Sequence, residues 1–290
     1  LLVNAYEIIK RKGLFNKIRS KGGLHNFLEY DGVVFMDSGG FQAMKYGIEI
    51  ELNQLAKIYS AVDADYYFSL DYPSLSSKEK IREKIDRTIK NFKEMKRYVE
   101  KLIPIVHPNI MRALEEYEAY RDSGAEYIAI GGLVPLMLTT KGFSNGRKKA
   151  IELIAKIRKV HNGLLHIMGL GAPTLIPILK VLNCNSTDSA SWRVKAAHGK
   201  IVLPNGGERY VSNRNAKFGV IPLDEEEMRL IDRLKCPILE EHGWDGLKKS
   251  FKVRALFNAW ITLYASANGL NQINGEFSKL MEYALSLIHI

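Results

Sequence analysis

Short apolar, β-rich runs alternate along this chain with longer stretches of helical period, and no other feature limits the fold as much. The runs occupy residues 33–36, 66–70, 103–106, 127–130 and 164–168. Strands separated by helical segments pair in parallel, because a crossover is needed to bring the chain back to the same end of the sheet. Between the second and third runs, Ile81, Ile85, Ile89, Phe92, Met95, Val99 and Leu102 recur at steps of three and four, with Lys, Arg and Glu on the other face. That spacing predicts an amphipathic helix. Residues 109–123 and 144–161 predict two more, ended by Gly124 and Gly163.

Asp37, Asp71, His107, Gly131-Gly132 and Gly169 each stand at the end of a different run. Polar groups converging from several strand ends fit the C-terminal rim of a barrel. No GxGxxG follows the first run and no P-loop is present, which counts against dinucleotide and nucleoside-triphosphate binding. The expectation is an α/β fold, a single (β/α)8 TIM barrel over residues 1–290. The chain opens on Leu1 in mid-pattern without a start or cap signal, so an N-terminally truncated fragment lacking its first strand is expected.

Beyond Asp188 the character changes. Residues 199–207 predict a hairpin with a glycine turn, followed by a basic stretch over 209–217, together an insertion spanning about residues 199–245. A last helix over 247–267 places Phe251, Ala255, Leu256, Ala259, Leu263 and Ala267 on one face, expected to pack on the barrel wall. No apolar run reaches membrane-spanning length and no signal peptide is visible. Only Cys184 and Cys236 are present, which suits a reducing compartment, and a cytoplasmic address is expected. The net charge of +10, from 42 basic and 32 acidic residues, favours a polyanionic partner.

Asp37-Ser38-Gly39-Gly40-Phe41-Gln42 brings a carboxylate, a hydroxyl, flexible backbone, a ring and an amide together where a buried strand ends. Such a set suits a flat polar ligand. Asp188 stands in similar company in Ser186-Thr187-Asp188-Ser189-Ala190-Ser191-Trp192, and two such acids suggest sugar or base chemistry. Each signal alone has a plainer reading: Asp188 as cap of the next helix, Gly39-Gly40 as a turn, Phe41 as core, Met168 as a strand residue and His107 as a loop residue before Pro108.

Taken in order, the strand-end motifs resemble the tRNA-guanine transglycosylase family, especially its archaeal-type branch. The matching stretches are Asn4-Ala5-Tyr6, residues 37–42, Leu70-Asp71-Tyr72-Pro73, residues 130–136, residues 166–173 and Asp188-Ser189-Ala190-Ser191-Trp192. The resemblance implies a (β/α)8 barrel that replaces guanine in a nucleic acid with a 7-deazaguanine base, of the queuosine and archaeosine kind, through a covalent intermediate. Asp188 matches the nucleophile and Asp37 the acid that shuttles protons. Asp71 matches the acid that reads the base edge. Ser38, Phe41, Gln42, His107, Gly131, Gly132, Leu133, Met168 and Gly169 complete the implied base slot, with Gly131 and Gly132 offering amides to the base carbonyl and Phe41 and Met168 flanking its ring. His107 departs from the Gln-Gly usual at that point.

The resemblance also implies partners: tRNA, or DNA as in phage and bacterial relatives, and a free guanine or 7-deazaguanine base. No membrane partner is implied, and a homodimer is admitted. Arg193, Lys195, Lys200, Arg209, Arg214 and Lys217 are candidate phosphate contacts, with a solvated basic face as the plainer reading. Family members hold a structural zinc with a Cys-x-Cys-x-x-Cys run and a later His. Here Cys236-Pro237 is the only remnant of that run and Phe257-Asn258 stands where His-Asn would be, so no metal or other cofactor is expected and the Phe257 face should pack apolar. The C-terminal RNA-binding modules of the archaeal branch are not among these residues, which leaves tRNA against DNA open. Two other readings stand beside the enzyme: a non-catalytic nucleic-acid-binding partner subunit, and an unrelated barrel glycosidase.

Overall fold

The computed structural model describes residues 1–73, 78–109, 112–138, 145–213, 220–268 and 276–288. The chain forms two compact units, one of Leu1–Leu133 with Lys156–Ile167 and one of Val134–Ala155 with Met168–Ile290.

The first unit is built on parallel strands. They are β1 (Leu2–Asn4), β2 (Phe35–Asp37), β3 (Tyr66–Phe68), β4 (Leu102–Ile103), β5 (Ile105–Val106), β6 (Tyr127–Ile130) and β7 (Leu164–Ile167). β1 pairs with β2, β2 with β3 and β3 with β4, all parallel. β5 pairs with β6 and β6 with β7 in the same sense. Strand order therefore follows chain order, as in barrel staves and unlike an open sheet with a switch point. Pro104, which has no N–H to donate, separates β4 from β5. Met36, Phe68, Ile103, Ile105, Ile128, Ala129, Ile130, Leu165 and Ile167 are buried, the near-continuous apolar pattern of strands covered on both faces.

Three expectations change here. A strand stands ahead of the first apolar run, with Leu2, Val3 and Asn4 in register against Phe35, Met36 and Asp37. The helix expected to run to Leu102 spans Lys78–Met95; Val99 is buried beyond its end and Leu102 belongs to β4. The next two helices are Ala113–Asp122 and Asn145–Val160, each shorter than its pattern. Residues 110–111 and 144 of those patterns lie outside the described residues.

The second unit carries β8 (Ser186–Thr187), the helix Ser191–Ala197 and an antiparallel hairpin of β9 (Lys200–Val202) and β10 (Glu208–Tyr210). Gly206 and Gly207 turn the hairpin at φ of +92° and +91°, conformations that only glycine enters without strain. The final long helix departs from its expected form. Its first residues belong to a separate helix, Pro237–Lys249, which ends at Ser250, and the rest to Phe251–Asn268; of its expected packing face Ala255 is buried and Ala259 half-buried, and the others face outward. Phe251, Leu256 and Leu263 are exposed, whereas Val253, Arg254, Phe257, Asn258, Ile261 and Ala265 are buried.

The buried polar pair on that face is satisfied. Arg254 donates to the carbonyls of Ala196, Leu247 and Lys248, the C-terminal turns of two helices, where a cation complements the helix dipole. Asn258 accepts from Val202 N and donates to Trp192 O and Lys200 O, tying the hairpin to the helix before it. No helix among the described residues is long and apolar enough to cross a membrane.

Candidate active site

Asp37 ends β2, 9% exposed, and its partner is set by strand register. Asn4, opposite it on β1, donates from Nδ2 to Asp37 Oδ2 at 2.6 Å. The same Asn4 accepts from Tyr6 N at 2.9 Å and so caps the helix Ala5–Lys10, which leaves its amide little rotational freedom. Gly39 and Gly40 are more than a turn. A Cβ on Gly39, at φ +81°, would stand 2.5 Å from Tyr6 Cβ and 2.8 Å from Asn4 Oδ1. On Gly40 it would run into Asp71 O and stand 2.8 Å from Asp71 Oδ1. The segment thus passes closely by the end of β1 and by the residues that follow β3, which a side chain would prevent.

The helix Gly40–Tyr46 takes Gly39 as its N-cap with no side-chain cap bond, so Asp37 is not spent on capping. Ser38 is fully buried and its Oγ accepts from Gly40 N at 3.3 Å. Phe41 is 49% exposed rather than core. Gln42 Oε1 is buried with no partner among the described residues.

Asp71 and His107 meet. His107 Nε2 lies 3.3 Å from Asp71 Oδ2, and its Nδ1 lies 2.9 Å from Glu116 Oε1. Glu116 Oε2 also accepts from His107 N at 2.8 Å, and Tyr120 Oη donates to Oε1 at 3.1 Å. Burial pulls the imidazole toward neutrality, but Glu116 and Asp71 outweigh it and raise its pKa to about 10. The His107 ring is thus engaged by a carboxylate on each side, which favours a proton on both of its nitrogens. Glu116 was missed by sequence reasoning, yet a signal existed. It shares a helical face with the buried Ala113, three residues before it, and Tyr120, four residues after it.

Of the remaining residues in this unit, Gly131 donates its amide to Val106 O, so that N–H is committed to the strand pairing and not to a ligand. Gly132 is exposed at φ +68°, and Leu133 is buried.

In the second unit Asp188 follows β8 and is held by glycine backbone. Gly169 N donates to Asp188 Oδ1 at 2.8 Å, and Gly171 N donates to Asp188 O at 2.8 Å. A Cβ on Gly171 would stand 2.9 Å from that carbonyl, and one on Gly169, at φ +77°, 2.8 Å from Val134 Cγ2. The next helix takes Ala190 as its N-cap without a side-chain bond, so the capping role is not the one Asp188 plays. Met168 is half-buried.

The basic candidates are less available than their charges suggest. Lys195 and Lys200 both pair with Glu208, and Arg209 pairs with Glu227 through two nitrogens. Arg193 is exposed. Arg214 and Lys217 lie outside the described residues.

Among the described residues no three His, Cys, Asp or Glu side chains stand together as a metal site would require. Cys236 is 1% exposed within an apolar cluster with Ile201, Val202, Leu239, Leu247 and Phe257, and burial pushes its thiol pKa up, away from the thiolate a metal needs.

The family model described as queuine tRNA-ribosyltransferase matches residues 1–259. Among similar proteins, the uncharacterized protein 306 of Sulfolobus islandicus rod-shaped virus 1 is 25% identical over 94% of this chain and 82% of its own length. The tRNA-guanine(15) transglycosylase of Nanoarchaeum equitans is 30% identical over 70% of this chain and 49% of its own. That of Methanopyrus kandleri is 26% identical over 86% and 51%. The chain thus spans about half the length of these transglycosylases. With the matched model covering residues 1–259, the chain belongs to the queuine tRNA-ribosyltransferase family.

Proposed function

We propose that the protein is a base-exchanging glycosyltransferase that replaces a guanine in a nucleic acid, tRNA or DNA, with a 7-deazaguanine base. The observation that carries this reading is the Asp188 carboxylate, which takes a hydrogen bond from Gly169 N and caps no helix, in a chain of this family. Closure of the parallel strands into a (β/α)8 barrel is part of the same reading.

Asp188 attacks C1′ of the target nucleotide; the ester C–O bond forms as the C1′–N9 bond to guanine breaks. Asp37 delivers the proton that the departing guanine needs. The incoming base then attacks C1′ through its own nitrogen, gives up a proton to Asp37 and releases Asp188, so two inversions give retention. Holding the sugar as an ester keeps the glycosyl bond energy while the bases exchange, and no nucleoside triphosphate is required. Asp71 accepts from N1–H and the exocyclic amine of the base, a pattern adenine cannot offer. With Gly131 N committed to Val106 O, the amides assigned to the base carbonyl are those of Gly132 and Leu133. Phe41 and Met168 are assigned to the ring faces, and the nucleotide must leave its stack to be reached. The chain uses no zinc in this reading.

The test supplies radiolabelled guanine with separate tRNA and duplex DNA pools, and follows the covalent adduct on denaturing gels. Label should enter one polymer, and Asp188→Ala should abolish the adduct. An adduct that survives in that variant overturns the role of Asp188; binding without exchange favours a non-catalytic partner subunit.

A further inference from the structure

Behind Asp71 lies an ionic chain that its own function does not require. A carboxylate in mid-helix is costly to bury, and Glu116 is 1% exposed. Both of its oxygens are engaged, Oε2 by His107 N, Oε1 by the His107 ring and Tyr120 Oη. The ring's other nitrogen reaches Asp71 Oδ2. Among the described residues no hydrogen bond is donated to Asp71 Oδ1, which faces Gly40, where a side chain would crowd it.

We propose that Glu116 is a positioning residue for base recognition: through the His107 ring it fixes the rotamer of Asp71, so that one carboxylate oxygen is anchored and the other is presented to the base. This rests on the reading of Asp71 as the base-reading acid. The ring bridges because it carries two N–H donors, and it does so because carboxylates flank it on both sides. The charges that act on the ring are those of Glu116 and Asp71, and polar groups of neighbouring segments are engaged elsewhere. The helix Lys78–Met95 offers Thr88, which accepts from Tyr72 N, and Asn91, which donates to Leu70 O; the helix Ala113–Asp122 adds Tyr120. Tyr59, whose pKa is raised by burial and then by Asp37 and Asp71 among others, donates to Phe68 O. A glutamine in place of Glu116 keeps the shape but supplies no charge, so the ring loses the larger of the two charges that favour its second proton and is no longer held as a fixed donor to Asp71.

The experiment measures equilibrium binding of free guanine to the wild type, Glu116→Gln and Tyr117→Phe, with ring nitrogen shifts of His107 read by NMR at pH 8. Tyr117 lies on the same helix but donates to Val160 O, so its variant controls for general loosening of the helix. Glu116→Gln should weaken guanine binding about 10- to 100-fold, the loss expected for a charged hydrogen bond, and the His107 ring should lose its second proton at pH 8. Tyr117→Phe should bind guanine within about twofold of wild type, since it leaves the charged bonds intact. Should Glu116→Gln not fold, Glu116→Asp, whose shorter side chain withdraws from the ring, takes its place with the same expected loss. A folded Glu116 variant that binds guanine as tightly as wild type overturns the proposal and leaves the base-reading role of Asp71 standing. A wild type that binds no guanine overturns that role, and this inference with it.

Discussion

Asn4 Nδ2 stands 2.6 Å from Asp37 Oδ2, so the acid at the end of β2 is aimed by an amide at the end of β1. Two functions of Asn4 can be separated, because the amide nitrogen orients the acid while the amide oxygen caps a helix. Asn4→Ala removes both: stability should fall by about 1 kcal/mol, and guanine exchange by roughly 10- to 100-fold, the scale of misplaced reacting groups. Asn4→Asp keeps the cap but sets a second carboxylate against Asp37, a like-charge contact with its own cost in stability, and should exchange no better than the alanine variant. Urea unfolding and exchange rates, measured on both, check the pair; full exchange by Asn4→Asp would show that the amide does not act on Asp37.

Gly40 tolerates no side chain. A Cβ there meets the Asp71 backbone carbonyl and side chain together, and a peptide carbonyl in this position cannot swing away as a flexible side chain would. Gly40→Ala should destabilise by about 1–3 kcal/mol, the usual range for an overpacked buried site, and weaken guanine binding through the displaced Asp71. Gly47, at positive φ but with open space around its missing Cβ, provides the contrast. Gly47→Ala should cost only its backbone strain and leave guanine affinity unchanged, as thermal unfolding and binding titrations would show.

His107 gives the protein a specific dependence on pH. The ring's pKa rises from 6.5 to about 10 on folding, so between those values the folded chain holds a proton that the unfolded chain has released. Stability from this group is therefore whole below pH 6.5 and is lost as pH climbs toward 10, with a slope of at most about 1.4 kcal/mol per pH unit. His107→Asn should be less stable than wild type at pH 7, and the gap should narrow by pH 9. Chemical denaturation across that range checks the sign; a gap that does not narrow with pH would mean the ring is neutral in the folded state.

What the sequence disclosed follows from how local each signal is. The strand Tyr127–Ile130 was legible to the residue, because four consecutive apolar positions between a helix-ending glycine and Gly131 admit little else. β1 was not, since its three residues carry no period and are defined by pairing with β2. The buried face of Phe251–Asn268 has a related cause. Arg254 and Asn258 look like solvent residues until the carbonyls of Ala196, Lys200 and Leu247 are known to face them. The same holds for Lys195, Lys200 and Arg209, whose partners Glu208 and Glu227 come from the hairpin register and from a separate helix. Asp37, Asp71 and Asp188 could be singled out as candidates because each stands at a strand end or within a few residues beyond one. Glu116 needed the fold, although its spacing from Tyr120 already set it on the buried side.

Cys236 and Phe257 share an apolar cluster, which makes independence from metal a quantitative expectation. Phe257 is fully buried beside Ile201, Val202, Ile231 and Leu247, so its ring should carry much of the stability of this cluster. Phe257→Ala should cost about 3–5 kcal/mol, the loss of a large buried ring and the cavity it leaves. Cys236→Ala removes one small buried group and should cost far less, about 1 kcal/mol, where a zinc-ligating thiolate would be indispensable. Prolonged dialysis against a strong chelator should leave the wild-type unfolding midpoint unchanged, and added zinc should not rescue Phe257→Ala. A midpoint that drops on chelation and returns with zinc alone would show that the cluster is not what closes this part of the molecule.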